Sequence, residues 1–167
     1  MRARYIAWCL PLEAHAMSES NTPTELPSWV TDHVKLYLED PEKAHMWDSA
    51  AVGGPGVLPT LLLTTTGRKS GEPRMLPLLY QQVEAGFVII ASKGGAPSHP
   101  AWFLNLLENP GCEIRVGSDY YRVTARIAEG EERAELWQLM VDLYAPYNDY
   151  QAATDRQIPV VVLEPLE

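Results

Sequence analysis

The sequence predicts an α+β fold: a mainly antiparallel, small closed or split β-barrel with flanking helices. Three observations carry this. Strand-like runs are joined by short glycine-bearing turns at 67–73, 84–86 and 117–118, which favours antiparallel pairing. The elements run helix, three strands, helix, hairpin, helix, strand, too irregular an alternation for a parallel α/β sheet. The 167 residues, 46% hydrophobic and 21% charged, suffice for one domain with a real core.

Taken in order, 28–38 has helical periodicity, with Val30, Val34, Tyr37 and Leu38 on one face and Ser28 available as a cap. Pro41 breaks it, and 41–47 makes a second short turn. The stretch Val52-Gly53-Gly54-Pro55-Gly56 is a loop. Residues 58–66, 74–82 and 86–92 read as three strands. Pro100 suits the first turn of a helix over 101–108, which Asn109-Pro110-Gly111 terminates. Residues 112–116 and 119–128 form a hairpin. In its second arm Tyr121, Val123, Ala125 and Ile127 alternate with Tyr120, Arg122, Thr124 and Arg126. Residues 131–144 form a helix with Ala134, Trp137, Met140, Val141 and Tyr144 on one face, and 158–163 closes the chain as a buried strand.

The ends divide the chain into an N-terminal tail, 1–27, and a single domain, 28–167. The opening MRARYIAWCLPLEAHA carries two arginines, a short apolar stretch and Ala14-His15-Ala16 before Met17, which resembles a signal peptide. The stretch is short, broken by Pro11 and followed by Glu13. The alternative is that Met17 is the natural start, and 1–16 is excluded from the fold argument.

Composition narrows function. A formal net charge of −9, from 22 acidic and 13 basic residues, disfavours a nonspecific nucleic-acid binder. No uninterrupted apolar run approaches the roughly 20 residues of a membrane-spanning helix. Cys9 and Cys112 are too few for a thiolate zinc cage or a disulfide framework, and the four histidines lack ligand spacing, so no metal site is expected. Neither a G-x-S-x-G elbow nor a phosphate-binding P-loop is present.

Three clusters remain. In the first, Thr64-Thr65-Thr66-Gly67-Arg68-Lys69-Ser70-Gly71-Glu72-Pro73-Arg74 places three cations and four hydroxyls on a strand-turn-strand, a candidate anion site or else a solvated basic turn. In the second, Ala91-Ser92-Lys93-Gly94-Gly95-Ala96 follows a buried strand; its glycines admit close backbone approach, while a flexible loop with a surface lysine accounts for it equally well. Just beyond, Asn105 falls on an apolar helix face, where a buried amide needs a backbone or ligand partner. The third is Tyr144, Tyr147 and Tyr150 at steps of three, core packing or flat walls for a planar substrate.

Together these pieces resemble the deazaflavin-dependent nitroreductases, actinobacterial quinone reductases that use coenzyme F420. The resemblance rests on 63–74, on Ala91-Ser92-Lys93-Gly94-Gly95-Ala96, on Trp102 with Asn105-Leu106 and Asn109-Pro110, and on Tyr147-Asn148-Asp149-Tyr150-Gln151 with Thr154-Asp155-Arg156 and Ile158-Pro159-Val160. It covers roughly 58–165 and implies a split β-barrel like that of the flavin reductases.

By the same resemblance, Arg68, Lys69, Ser70, Gly71 and Arg74 hold the phosphate and polyglutamate tail of F420, with Lys93 adding charge. The tricyclic head lies along Thr64, Ser92, Ala101, Trp102 and Asn105, with Tyr147 over the substrate side. Tyr144, Tyr147, Tyr150 and Ser92 line the acceptor site, and Tyr147 or Ser92 hydrogen-bonds and protonates the accepting oxygen. The implied reaction is hydride transfer from reduced deazaflavin to a quinone, a conjugated enone or a nitro-activated acceptor. Leu79 falls where relatives carry a second aromatic wall, which weighs against nitroimidazole reduction.

Two alternatives remain: the same barrel binding FMN, and a deazaflavin carrier without turnover. The cation cluster exceeds what a single phosphate needs, and a carrier needs no aromatic acceptor pocket. The expected partners are a small-molecule electron acceptor and, as in many such barrels, a second copy. The expected location is the cytoplasm, with at most peripheral contact at the inner membrane face, since Asp32, Glu39, Asp40 and Glu42 suit anionic lipid poorly.

Overall fold

Runs rich in Leu, Val, Ile and Thr become strands because branched, half-buried side chains suit a pleated surface. The computed structural model describes residues 27–167. The readings of 1–16 and of the tail as far as residue 26 lie outside the described residues, as do Cys9 and His15.

In chain order the elements are α1 (Ser28–Glu39), α2 (Pro41–His45), β1 (Met46–Asp48), a 3-10 turn (Ser49–Val52), β2 (Val57–Thr66), β3 (Pro73–Leu79), β4 (Gln81–Val83), β5 (Gly86–Ile90), a second 3-10 turn (Lys93–Gly95), α3 (Ala101–Glu108), β6 (Gly111–Val116), β7 (Asp119–Ile127), α4 (Gly130–Leu143), α5 (Pro146–Ala152) and β8 (Val160–Pro165).

All eight strands join one sheet and every pairing is antiparallel. The hydrogen bonds run β3-β2-β6-β7-β8-β5-β4, with β1 continuing the β3 edge along residues 57–59 of β2. The edge strands β3 and β4 are separated in sequence by Tyr80 alone. A flat sheet of seven strands would hold its edges roughly 30 Å apart at the usual strand spacing, whereas one residue spans at most about 3.6 Å. The sheet therefore curls until its edges meet at Tyr80, closing a barrel at that end. β4 reaches no further along β5 than Val88, so a split opens at the other end. That is the end at which β2, β5 and β7 finish and β6 and β8 begin, as the pairs Thr64↔Glu113, Ile90↔Val160 and Ile127↔Val161 show.

Leu61, Leu63, Ile114, Val123 and Val160 contribute to the central core. Phe87–Ile90 and Val160–Leu163 are buried without alternation because α4 packs on the outer face of β5 and β8. β7 keeps the expected alternation only from Tyr121 to Val123, with Arg122 exposed and Val123 buried; Thr124, Ala125 and Arg126 are all half-buried and Ile127 is exposed.

The sequence reading needs four corrections in detail. The strand expected over 74–82 is two strands on opposite sheet edges, because barrel closure breaks the ladder at Tyr80. On α1 the buried face is Val30, His33 and Tyr37, with Leu38 52% exposed, because Tyr37 Oη donates to the Thr60 carbonyl and fixes the helix rotation. Pro27, not Ser28, is the N-cap residue of α1 and makes no side-chain cap. The helix expected through Tyr144 ends at Leu143, and Pro146 starts α5 separately.

Gly86 has φ +146° and lies against β8, where an added Cβ would stand 2.1 Å from the Leu163 carbonyl oxygen. Gly53, at φ +86°, has open space around its Cα. Gly86→Ala is expected to cost at least ~2 kcal/mol in urea unfolding, and Gly53→Ala only about 1 kcal/mol from its left-handed backbone. Equal costs would contradict the close β5–β8 approach.

Candidate active site

The open end of the barrel gathers the three clusters. The 67–72 turn follows β2, the 91–99 loop follows β5, and α5 precedes β8, so the register of β2, β5 and β8 brings all three there.

The basic turn is pre-shaped by its own backbone. Gly67 N–H donates to Glu72 O at 2.8 Å and Gly71 N–H to Gly67 O at 2.8 Å, with Gly71 at φ +76°. Ser70 Oγ accepts from Glu72 N–H at 3.1 Å and from Arg74 Nη2 at 3.3 Å, which leaves its own proton to donate. Lys69 and Arg74 are exposed. Arg68 is tied to α3: its N–H and Nη1 donate to Asn105 Oδ1 at 3.1 and 3.2 Å. Asn105 Nδ2 in turn donates to Thr65 Oγ1 at 3.1 Å. The partners that a buried Asn105 requires are therefore the turn and β2. Thr65, rather than Thr64, meets Asn105, because alternation puts Thr64 on the opposite face of β2. Trp102 is buried one turn away on α3, and Ala101 is exposed at its start.

The 91–99 loop is not the flexible loop that composition allows. Lys93, Gly94 and Gly95 are all left-handed, at φ +48°, +60° and +86°. For Lys93 that conformation costs about 1–2 kcal/mol. Lys93 is not a surface cation: it is 1% exposed, and its Nζ donates to Ser98 Oγ at 2.9 Å. Ser92 is equally buried. The loop meets α3 through His99, whose ring lies 4.9 Å from Phe103. Burial, then Arg156, then Lys93 hold the His99 pKa below its ordinary value.

Tyr144 caps α4, while Tyr147 and Tyr150 lie on α5, so the tyrosines converge from two helices. Ring centroids are 5.1 Å apart for Tyr144–Tyr147 and 6.3 Å for Tyr147–Tyr150. Tyr144 Oη and Tyr150 Oη share a hydrogen bond of 3.2 Å. Trp137 supports Tyr147 from α4 at 6.3 Å, and its Nε1 donates to Asn148 Oδ1 at 3.0 Å. α5 abuts the loop so closely that a Cβ on Gly95 would stand 2.6 Å from the Tyr150 carbonyl oxygen.

The result is one continuous rim: basic turn, α3, loop, tyrosine wall. It unites Arg68 with Asn105, and the Ser92–Lys93 loop with the Tyr147–Tyr150 helix. Sequence reading missed Thr65 and His99 because their partners Asn105 and Arg156 are distant in the chain, and Trp137 because its role depends on how α5 folds back on α4. Cys112 lies on β6, its thiol pushed up to about 12 by burial and then by Glu113.

Two outcomes follow from this geometry. Asn105→Leu strands the Arg68 amide and the Thr65 hydroxyl, and is expected to cost about 1–3 kcal/mol and speed hydrogen exchange at Arg68 N–H. Unchanged exchange there would contradict the pinning of the turn. His99 and His33 both have lowered pKa values, burial being the first cause of each. The native state thus binds fewer protons than the unfolded chain, whose histidines titrate near about 6.5. Stability is full above that pH and declines as pH falls below it. The decline should be shallower in His99→Asn, whose Oδ1 can still accept from Arg156, as urea titrations across that range would report.

Comparison with known proteins agrees with this geometry. The pattern of the F420H(2)-dependent quinone reductase family matches residues 42–165. The chain is 45% identical to an F420H(2)-dependent quinone reductase of Mycobacterium tuberculosis over 145 residues, covering 83% of this chain and 97% of the relative. A solved F420-H2 dependent reductase, FDR-A, superposes with TM-score 0.59 at 44% identity, over 63% of this chain and 93% of its own. A second solved relative, described as a domain-swapped dimer, gives TM-score 0.62 at 38% identity, over 82% of this chain and 98% of its own. With a split barrel open at the end where the family's motifs gather, this chain belongs to the F420H(2)-dependent quinone reductase family.

Proposed function

We propose that this protein transfers a hydride from reduced coenzyme F420 to a quinone-like or otherwise conjugated acceptor, with residues 28–167 acting as one deazaflavin-binding domain. The observation that carries this reading is the continuity of the rim, which sets an exposed basic turn and a cluster of buried tyrosines at the same open end of the barrel.

The residues present suit the cofactor. Lys69 and Arg74 are exposed cations in an acidic chain, and Arg68, Ser70 and Gly71 complete a turn matched to a polyanionic tail. Trp102 Nε1 is buried without a hydrogen-bond partner among the described residues, a donor awaiting an acceptor. The head group would lie between α3 and the 91–99 loop, with Ala101 and Asn105 bordering it and Lys93 adding charge beneath, while Thr64, on the opposite face of β2 from Asn105, takes no part. When bound, the deazaflavin supplies the hydride.

The chain's own residues would do the rest. Tyr144, Tyr147 and Tyr150 hold a planar acceptor and exclude water. Tyr147 Oη, or Ser92 Oγ, hydrogen-bonds the accepting oxygen and delivers its proton, so that charge is neutralised as it develops. Orientation supplies much of the rate, since the acceptor must meet the hydride donor face on.

Among the described residues no helix is long and apolar enough to cross a membrane. We place the protein in the cytoplasm; the buried face of α1 is engaged in the fold, and of the apolar residues there Leu38 and Met46 are exposed. The swapped dimer formed by the 38% identical relative supports self-association.

Oxidised F420 should quench tryptophan fluorescence with micromolar affinity that weakens with salt, while FMN binds poorly; FMN binding without F420 would overturn the cofactor assignment. With reduced F420 and menadione, Tyr147→Phe should lower kcat about 100-fold and leave F420 affinity nearly unchanged. Cofactor binding with no menadione turnover by the parent enzyme would favour a carrier instead.

A further inference from the structure

The tyrosine wall and the Ser92–Lys93 loop come from segments about sixty residues apart, yet one side chain bridges them. Arg156 sits in the turn between α5 and β8. Its Nε donates to Ala96 O at 2.8 Å, Nη2 to Ser92 O at 2.8 Å and Nη1 to Ala91 O at 3.3 Å. Nη1 also lies 3.0 Å from His99 Nδ1. The guanidinium thus binds the backbone on both sides of the left-handed Lys93-Gly94-Gly95 run, and the imidazole beyond it.

The backbone of Arg156 is held just as firmly from the other side. Gln151, one residue after Tyr150 on α5, donates through Nε2 to Arg156 O at 2.8 Å, and its Oε1 accepts from Ile158 N–H at 2.9 Å. Gly95 allows the α5 backbone to lie against the loop. Inward-facing carbonyls need donors. A planar fork can satisfy three in fixed directions, which an ammonium does not reproduce.

We propose that Arg156 is a positioning residue, clamping the 91–96 loop to α5 so that Ser92 and the Tyr147–Tyr150 wall form one acceptor pocket in fixed register. This rests on the function proposed above. It predicts that loss of the clamp slows turnover by misplacing the acceptor, because displacements of about 1 Å at a reacting centre cost on the order of 100-fold. The lowered pKa of His99 is consistent with a neutral ring accepting from the guanidinium; Arg156, Lys93 and the Phe103 ring are the groups facing it.

The test compares Arg156→Ala and Arg156→Lys with the parent in the full chain. With reduced F420 and menadione, kcat should fall about 10- to 100-fold in both variants, with far-ultraviolet circular dichroism unchanged. Millimolar guanidinium should restore at least fivefold to Arg156→Ala, and equal urea should not. A parent-like kcat in either variant, or a folded Arg156→Ala that guanidinium does not rescue, overturns the proposal. If Arg156→Ala fails to fold, Arg156→Lys decides by the same kcat criterion.

A cofactor-free measurement separates this from the proposed function. In Arg156→Lys the amide signals of residues 91–96 and 147–151 should both shift, and in Arg156→Ala the His99 titration midpoint should rise. Unchanged amide positions in a folded variant overturn the clamp even if the parent proves inert with F420. An inert parent whose signals move as expected refutes the reaction and leaves the clamp standing.

Discussion

A single-residue connection governs this architecture. Tyr80 is all that separates two strands on opposite edges of the sheet, so the sheet has to close at that corner. The corner is built to hold: Tyr80 is buried, shares a 2.8 Å hydrogen bond with His45 Nε2 and packs edge-on against Phe87. Phe87 in turn packs on Tyr121. Closure at this end leaves the opposite end as the place where strand ends splay, backbone groups lack ladder partners and loops must supply them. The site occupies that end because the topology leaves it open.

The open end solves its polar accounting with side chains instead of a ladder. Asn105 ties the basic turn to α3, and Arg156 ties the 91–96 loop to the turn after α5. Both are groups of fixed planar geometry, which constrain direction as well as distance. Such cross-links join separate loops and helices into one rim.

How much of this could be read in the chain depended on whether the cause was local. The β2 turn, α3 and the β6–β7 hairpin were legible because Gly67 with Gly71, Asn109-Pro110-Gly111 and Gly117-Ser118 encode their own boundaries. The break at Tyr80 was not, since Leu78-Leu79-Tyr80-Gln81 has no breaker and the interruption comes from closing the sheet. The helix α5 was not read from the sequence although Pro146 stands at its start, because seven residues carry too little periodicity to declare a helix. The four motifs pointed to the site and its family, but nothing local distinguishes a buried Lys93 from a surface lysine. Nor does any periodicity reveal that Arg156 reaches back some sixty residues to the Ser92 carbonyl.

Quinones are electrophiles that arylate exposed thiolates, so an enzyme handling them risks modification by its own substrate. Cys112, the one cysteine among the described residues, sits mostly buried on β6 with its thiol pushed up to about 12. At neutral pH it carries almost no thiolate, the form that attacks. Burial that serves β6 packing thereby also keeps this thiol in its protonated, less nucleophilic form.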